Sequence, residues 1–127
     1  EHSGHYYFRD NWYADSGLIA MLAVLSLLSK GDKPLSKVVK PIENRFRSGE
    51  INLKVDDKPA AIARAKSHFT EQGAAIDEYD GLTIEFPDRW LNIRSSNTEP
   101  LLRVNVEGDT EAAMTELKDE VLWVIGA

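Results

Sequence analysis

Apolar side chains recur at every second position in three separate runs, and that pattern commits most of this chain to a sheet with one buried face. Ile51, Leu53 and Val55 alternate with polar residues; so do Leu82, Ile84 and Phe86, and again Leu102, Val104 and Val106. Successive strand side chains point to opposite faces, so a period of two puts each apolar set on one side. Ala75 to Tyr79 and Trp90 to Ile93 read as two further strands. Asp80-Gly81 between alternating runs predicts a hairpin with a two-residue turn. Pro59 suits the first turn of a helix that runs through Ile62, Ala65 and Phe69 to Gly73. Asp109 or Thr110 caps a last helix with Met114, Leu117, Val121 and Val124 on one face. The order β-α-β-β-β-β-α predicts an α+β fold, an antiparallel or mixed sheet with its helices on one face.

The first third of the chain has a different character. Residues 1–48 carry seven Lys/Arg against five Asp/Glu, and residues 49–127 carry eight against sixteen. The break falls near Arg47-Ser48-Gly49, an expected boundary and hinge. Asp15 or Ser16 can cap a helix in which Leu18, Met21, Leu22, Leu25 and Leu28 sit at helical spacing while Ile19, Ala23, Val24 and Leu27 fill the other faces. A helix apolar nearly all round is a buried helix. Leu35 to Lys40 predicts a short second helix stopped by Pro41. Two such helices cannot bury themselves. This part is therefore expected to be the end of a domain whose body lies elsewhere; the absence of an initiator Met means either that processing removed something or that the chain is a piece of a longer protein.

Composition excludes several classes. With 43% hydrophobic and 28% charged residues in 127, the chain is ordinary globular material rather than disordered. It has no cysteine, so disulfide frameworks and thiolate metal or redox sites are out. A formal charge of −6 argues against nucleic acid or anionic lipid as a partner. The longest apolar run, Gly17 to Leu28, is too short to span a bilayer, and no signal peptide is visible. The expected location is the cytoplasm, with no membrane partner.

Two segments could carry chemistry. Between residues 67 and 117 the basic side chains are His68, Arg89, Arg94 and Arg103, set among eleven acids. Arg94 and Arg103 bracket Ser95, Ser96, Asn97 and Thr98. Arginine forks match phosphate, and hydroxyls, an amide and turn N–H groups can complete an oxyanion cradle. The same Ser, Asn, Thr and Pro residues also make a plain turn. There is no glycine-rich phosphate loop of the Gly-Lys-Ser/Thr kind. The second segment is Glu1-His2-Ser3-Gly4-His5. A carboxylate and a hydroxyl suit sugar hydroxyls, and His5 could move protons near neutral pH. A frayed terminus with tag-like histidines is the other reading. His2-x-x-His5 with Glu1 lacks the scaffold of a metal site, so no metal ligands are assigned.

Glu1-His2-Ser3-Gly4-His5, followed by Phe8-Arg9-Asp10 and Asp15-Ser16-Gly17, resembles the sugar-binding loop and next helix of the bacterial phosphomannomutase/phosphoglucomutases, which are α-D-phosphohexomutases. Arg94-x-Ser96-Asn97-Thr98-Glu99-Pro100-x-x-Arg103 resembles that family's C-terminal phosphate-binding loop. The resemblance implies four domains, of which this chain is similar to the end of the third (residues 1–47) and all of the fourth (48–127). It implies a TATA-binding-protein-like fold for the fourth. The implied reaction interconverts hexose 1-phosphate and hexose 6-phosphate, of mannose or glucose, through a phosphoserine and a bisphosphorylated hexose. Mg²⁺ would be held by aspartates of another domain, and neither the serine nor the metal loop is in this chain.

The resemblance assigns roles residue by residue. Arg94, Ser96, Asn97 and Thr98, with Arg103, would hold phosphate; Glu1 and Ser3 would grip sugar hydroxyls; His5 would be the acid/base. Asn97 stands where the related phosphoglucosamine mutases tend to have Gly, which favours the mannose/glucose branch. The alternatives are a phosphoglucosamine mutase fragment, and a non-catalytic phosphosugar-binding or interaction module in which Arg94 and Arg103 are structural ion-pair residues.

Overall fold

A computed structural model of the chain describes residues 4–97 and 99–126. The chain divides into two compact units, residues 1–44 and 45–127.

In the first unit, two-residue strands β1 (Tyr7–Phe8) and β2 (Ala14–Asp15) pair antiparallel. Their connection holds a single 3-10 turn, Arg9–Asn11, then Trp12 (φ 53°) and Tyr13 (φ 55°). Both take left-handed backbone, which is uncommon for residues with large side chains. The Tyr13 N–H closes the turn on the Phe8 carbonyl at 3.0 Å. Ser16 then caps α1 (Gly17–Ser29), its Oγ accepting the Ile19 N–H at 3.2 Å. α2 (Leu35–Val39) follows Pro34 and passes into a 3-10 turn, Lys40–Ile42, that contains Pro41.

The expected buried helix is not buried in this chain. Leu18 is 63% exposed, Met21 51% and Leu27 59%. A minimal hairpin and a five-residue helix supply too little surface to cover a helix that is apolar all round.

The second unit is an α+β layer. Its antiparallel sheet runs in the order β3 (Phe46–Arg47), β8 (Leu102–Gly108), β7 (Arg89–Ser95), β6 (Leu82–Glu85), β5 (Ala75–Asp77), with β4 (Ile51–Leu53) also on β8. β3 and β4 are two pieces of one edge: β3 pairs with Glu107 and Gly108, and β4 with residues 102–104. Between them Gly49 takes a φ of +71°. Ser48 bridges the gap, its N–H donating to the Val106 carbonyl at 2.9 Å and its Oγ accepting the Val106 N–H at 3.0 Å. Arg47 is therefore part of the sheet, although the change in charge falls just after it.

Helices α3 (Lys58–Glu71) and α4 (Glu111–Ile125) cover one face of the sheet. Asp57 Oδ1 caps α3 through the Ala60 N–H, and Thr110 Oγ1 caps α4 through the Ala113 N–H. α3 buries Ala61, Ala65 and Phe69, one turn apart; α4 buries Ala113, Leu117, Val121 and Ile125. Met114 and Val124, expected on the core face, lie at the margin of the same core. The sheet contributes Leu82, Ile84, Leu91, Ile93, Leu102, Val104 and Val106. All but Leu102, which pairs with Leu53 of β4, are mutual partners across β6, β7 and β8, so they share a face as their alternation requires.

The Asp80-Gly81 turn is wider than a two-residue hairpin. Asp77 pairs with Thr83 and Ile76 with Ile84, so residues 78–82 lie between the last paired positions. A two-residue turn on Asp80-Gly81 would shift the register by one, which sets Asp77 beside core residue Ile84. Keeping Ile76 against the core wins over the tighter turn.

Candidate functional site

The site grows from the sheet face turned away from the helices. Arg94 on β7 and Arg103 on β8 are direct cross-strand partners, and Asn52 on β4 is the next partner of Arg103. They alternate with core residues Ile93 and Val104, so both guanidinium groups rise from the open face. The next rung toward the far end of the strands is polar as well: Thr83, Asn92 and Asn105. Asn92 Nδ2 donates to Thr83 Oγ1 at 3.0 Å.

Like charges directly opposite each other destabilise a sheet unless something compensates. Carboxylates stand near both. Asp80 Oδ2 is 3.6 Å from Arg94 Nη1; Glu50 Oε1 is 3.8 Å from Arg103 Nε; Glu99 Oε2 is 3.5 Å from Arg103 Nη2. The two Arg103 separations exceed the roughly 2.7–2.9 Å of charge-assisted hydrogen bonds. Arg103 Nε is shielded from water and makes no hydrogen bond. The face therefore carries two positive charges side by side, and at Arg103 a buried donor that an anion could satisfy.

The loop from β7 to β8 adds its own geometry. Ser96 is 9% exposed. Its N–H donates to the Leu101 carbonyl at 2.9 Å, and its Oγ accepts the Glu99 N–H at 3.2 Å. In this structure Ser96 shapes the loop from inside. Asn97 is exposed at the tip, close to Arg94 and Ser96 in the chain. Thr98 lies outside the described residues.

The turn before β6 forms a wall that sequence reasoning does not anticipate. Gly81 has a φ of +73°, and a Cβ placed there would stand 2.5 Å from the Ile93 carbonyl oxygen and 2.7 Å from Arg94 Cβ. Only glycine lets the turn lie this close to β7. Asn92 Nδ2 holds it by donating to the Asp80 carbonyl at 2.9 Å. The one available signal, Asp80-Gly81, speaks of turn type and not of where the turn lands.

In the first unit, His5 Nδ1 is 2.6 Å from Asp15 Oδ2. Asp15 Oδ1 accepts the Tyr6 N–H at 2.9 Å. The His5 hydrogen bond, reinforced by the Tyr6 N–H, holds the Asp15 carboxyl below its ordinary value. Asp15, expected only as a helix cap, is instead the partner of His5. Glu1 and Ser3 lie outside the described residues. His68 on α3 has Nε2 2.8 Å from Glu120 Oε1 on α4. Among the described residues no group of three His, Cys, Asp or Glu side chains could hold a metal ion. No helix among them is long and apolar enough to cross a membrane.

A family model described as phosphoglucomutase/phosphomannomutase, C-terminal domain, matches residues 50–123. A second, described as phosphoglucomutase/phosphomannomutase, alpha/beta/alpha domain III, matches residues 1–46. The chain is 45% identical over 121 residues to phosphohexose mutases of Xanthomonas campestris pv. campestris strain B100, covering 94% of this chain and 27% of that protein. It is 42% identical over 126 residues to a phosphomannomutase of Salmonella typhimurium, covering 98% and 28%. A solved structure of a phosphoglucomutase/phosphomannomutase family protein from Burkholderia thailandensis superposes with a TM-score of 0.76 at 29% identity, covering 98% of this chain and 27% of that one. The chain thus spans about a quarter of the length of the relatives it matches.

Proposed function

Because this chain belongs to the phosphoglucomutase/phosphomannomutase family, we propose that it is the C-terminal part of a phosphohexomutase and forms the wall of the active site that grips phosphate and sugar hydroxyls. The observation that carries this reading is the cross-strand pair Arg94 and Arg103 on the open sheet face. Paired arginine forks suit a phosphate dianion, and the neighbouring carboxylates hold that charge when phosphate is absent. Arg94, Ser96, Asn97 and Thr98, with Arg103, bind the phosphate that is not being transferred. Glu1 and Ser3 hold ring hydroxyls. His5 is the acid/base. Residues 1–47 and 48–127 act as the end of a third domain and a complete fourth one.

The proposed reaction moves phosphoryl between O1 and O6 of mannose or glucose. A sugar hydroxyl attacks a phosphoserine of another domain: the new O–P bond forms, the serine O–P bond breaks, and the hydroxyl proton passes to His5. The resulting bisphosphorylated hexose is an intermediate: it reorients, the freed serine oxygen attacks its other phosphate, that sugar O–P bond breaks, His5 returns the proton to the released sugar oxygen, and the phosphoserine is restored. Mg²⁺, which the family implies, finds no fitting ligand set among the residues described here, so its ligands belong to the other domains. This chain alone is inactive for want of the serine, and the assembled enzyme works in the cytoplasm.

The test compares the complete enzyme with its Arg94→Ala variant, converting glucose 1-phosphate and mannose 1-phosphate to their 6-phosphates. Loss of most turnover with wild-type unfolding behaviour supports the reading. Wild-type kinetics in the variant would reject it.

A further inference from the structure

We propose that Asp15 is the positioning residue that makes His5 a proton acceptor, by holding its ring in the tautomer that leaves Nε2 unprotonated. This rests on the role given to His5 above. The geometry supplies the argument. Asp15 Oδ2 lies 2.6 Å from His5 Nδ1 while its other oxygen takes the Tyr6 N–H at 2.9 Å. Both partners are held in place. Asp15 pairs with Tyr7 across the hairpin, and the Ser16 N–H donates to the Tyr6 carbonyl at 3.1 Å.

The Asp15 carboxyl is held below its ordinary value by these bonds, so it is ionised at neutral pH. An ionised carboxylate only accepts hydrogen bonds. His5 Nδ1 must then carry the proton, and the neutral ring presents a lone pair at Nε2. Only the His5 charge acts on Asp15 among the described residues. When Nε2 takes up a proton, the carboxylate stabilises the imidazolium without itself becoming protonated, as in other carboxylate–imidazole pairs. The His5 side chain is 55% exposed, which leaves the far edge of the ring open to a substrate.

Asp15→Asn separates positioning from structure. The introduced amide can keep the Tyr6 N–H on its oxygen, which turns its NH₂ toward His5 Nδ1. That nitrogen must then accept, the proton moves to Nε2, and the acceptor is lost. The first measurement is the imidazole ¹⁵N spectrum of this chain at pH 8, wild type and Asp15→Asn. The expected result is an Nδ1–H ring in the wild type and an Nε2–H ring in the variant. An Nε2–H ring in the wild type, or one tautomer in both, overturns the proposal. Asp15→Ala serves as a second variant; the Tyr13 amide, hydrogen-bonded to the Phe8 carbonyl across the same hairpin, reports whether that hairpin is folded in each protein.

The second measurement is kinetic, on the complete enzyme. General acid–base groups contribute about 10²–10⁴-fold, so Asp15→Asn should lower kcat by about 10²-fold with KM nearly unchanged. Unchanged kcat in Asp15→Asn while His5→Ala is impaired would overturn the positioning role. Unchanged kcat in His5→Ala would instead reject the acid/base role of His5, whatever the tautomer result.

Discussion

At the scale of single residues, Gly81 carries an unusual share of the site. Its positive φ and its approach to the Ile93 carbonyl and Arg94 Cβ mean that a methyl group has nowhere to go. A left-handed conformation costs a non-glycine residue roughly 1–2 kcal/mol, and a backbone clash adds to it. Gly81→Ala should lower stability by about 2–4 kcal/mol, read as a shift in the urea unfolding midpoint. It should also weaken phosphosugar binding, because the added methyl group collides with Arg94 Cβ and displaces that side chain. A variant with unchanged midpoint and affinity would mean that the turn is not held against β7. Asp15 teaches a related lesson. Its partner is ten positions away, and nothing in local spacing connects an expected helix cap to a histidine across a hairpin.

At the scale of elements, α3 and α4 are held together by polar ties as well as by their core faces. Arg64 on α3 donates from Nη2 to the Ile125 carbonyl at 2.9 Å and from Nε to the Val124 carbonyl at 3.3 Å, capping the end of α4. Arg64→Met should cost about 1 kcal/mol, the usual worth of such bonds, in equilibrium unfolding. Burial pushes the Glu120 carboxyl up, but hydrogen bonds from His68 and Gln72 and the charges of His68 and Arg89 outweigh it, so it titrates below its ordinary 4.5. A carboxyl lowered in the folded state stabilises the fold fully above its unfolded value, and that contribution disappears as pH falls through the lower folded value. Stability should therefore decline on acidification below about pH 4.5, and less steeply in Glu120→Gln. Equal slopes for the two proteins would show that the tie to His68 contributes nothing.

The elements also show how much the sequence discloses. The alternating runs around Ile84 and Val104 place the central strands, because one buried face leaves a period of two that little else produces. Pro59 and Thr110 mark helix starts because first-turn and capping preferences are local chemistry. β3 is not legible: Phe46-Arg47 is too short for a period, and its pairing with Glu107 and Gly108 is a long-range event. The register of β5 departs from the expected hairpin because turn propensity at Asp80-Gly81 and core packing of Ile76 disagree, and packing prevails. The candidate arginines stand out as basic residues among acids; their direct juxtaposition needs the β7–β8 register.

At the scale of the whole molecule, the chain is uneven. The hydrophobic core belongs entirely to residues 45–127, whereas no side chain described in residues 4–44 is buried. Residues 45–127 alone should unfold cooperatively, with a midpoint within a few degrees of the main transition of the whole chain. A large drop would show that the first unit stabilises the second. The uncovered apolar surface of α1 fits a chain that spans about a quarter of its relatives' length.

The central claim is that the open sheet face binds phosphosugar through Arg94 and Arg103. The most direct test is an NMR titration of this chain with glucose 1-phosphate and mannose 1-phosphate, with Arg94→Ala as control. The account predicts saturable shifts centred on Arg94 to Asn97 and on Arg103, lost in the variant while the core resonances stay in place. Shifts scattered over the surface and unaffected by the substitution, or none at millimolar phosphosugar, would contradict it.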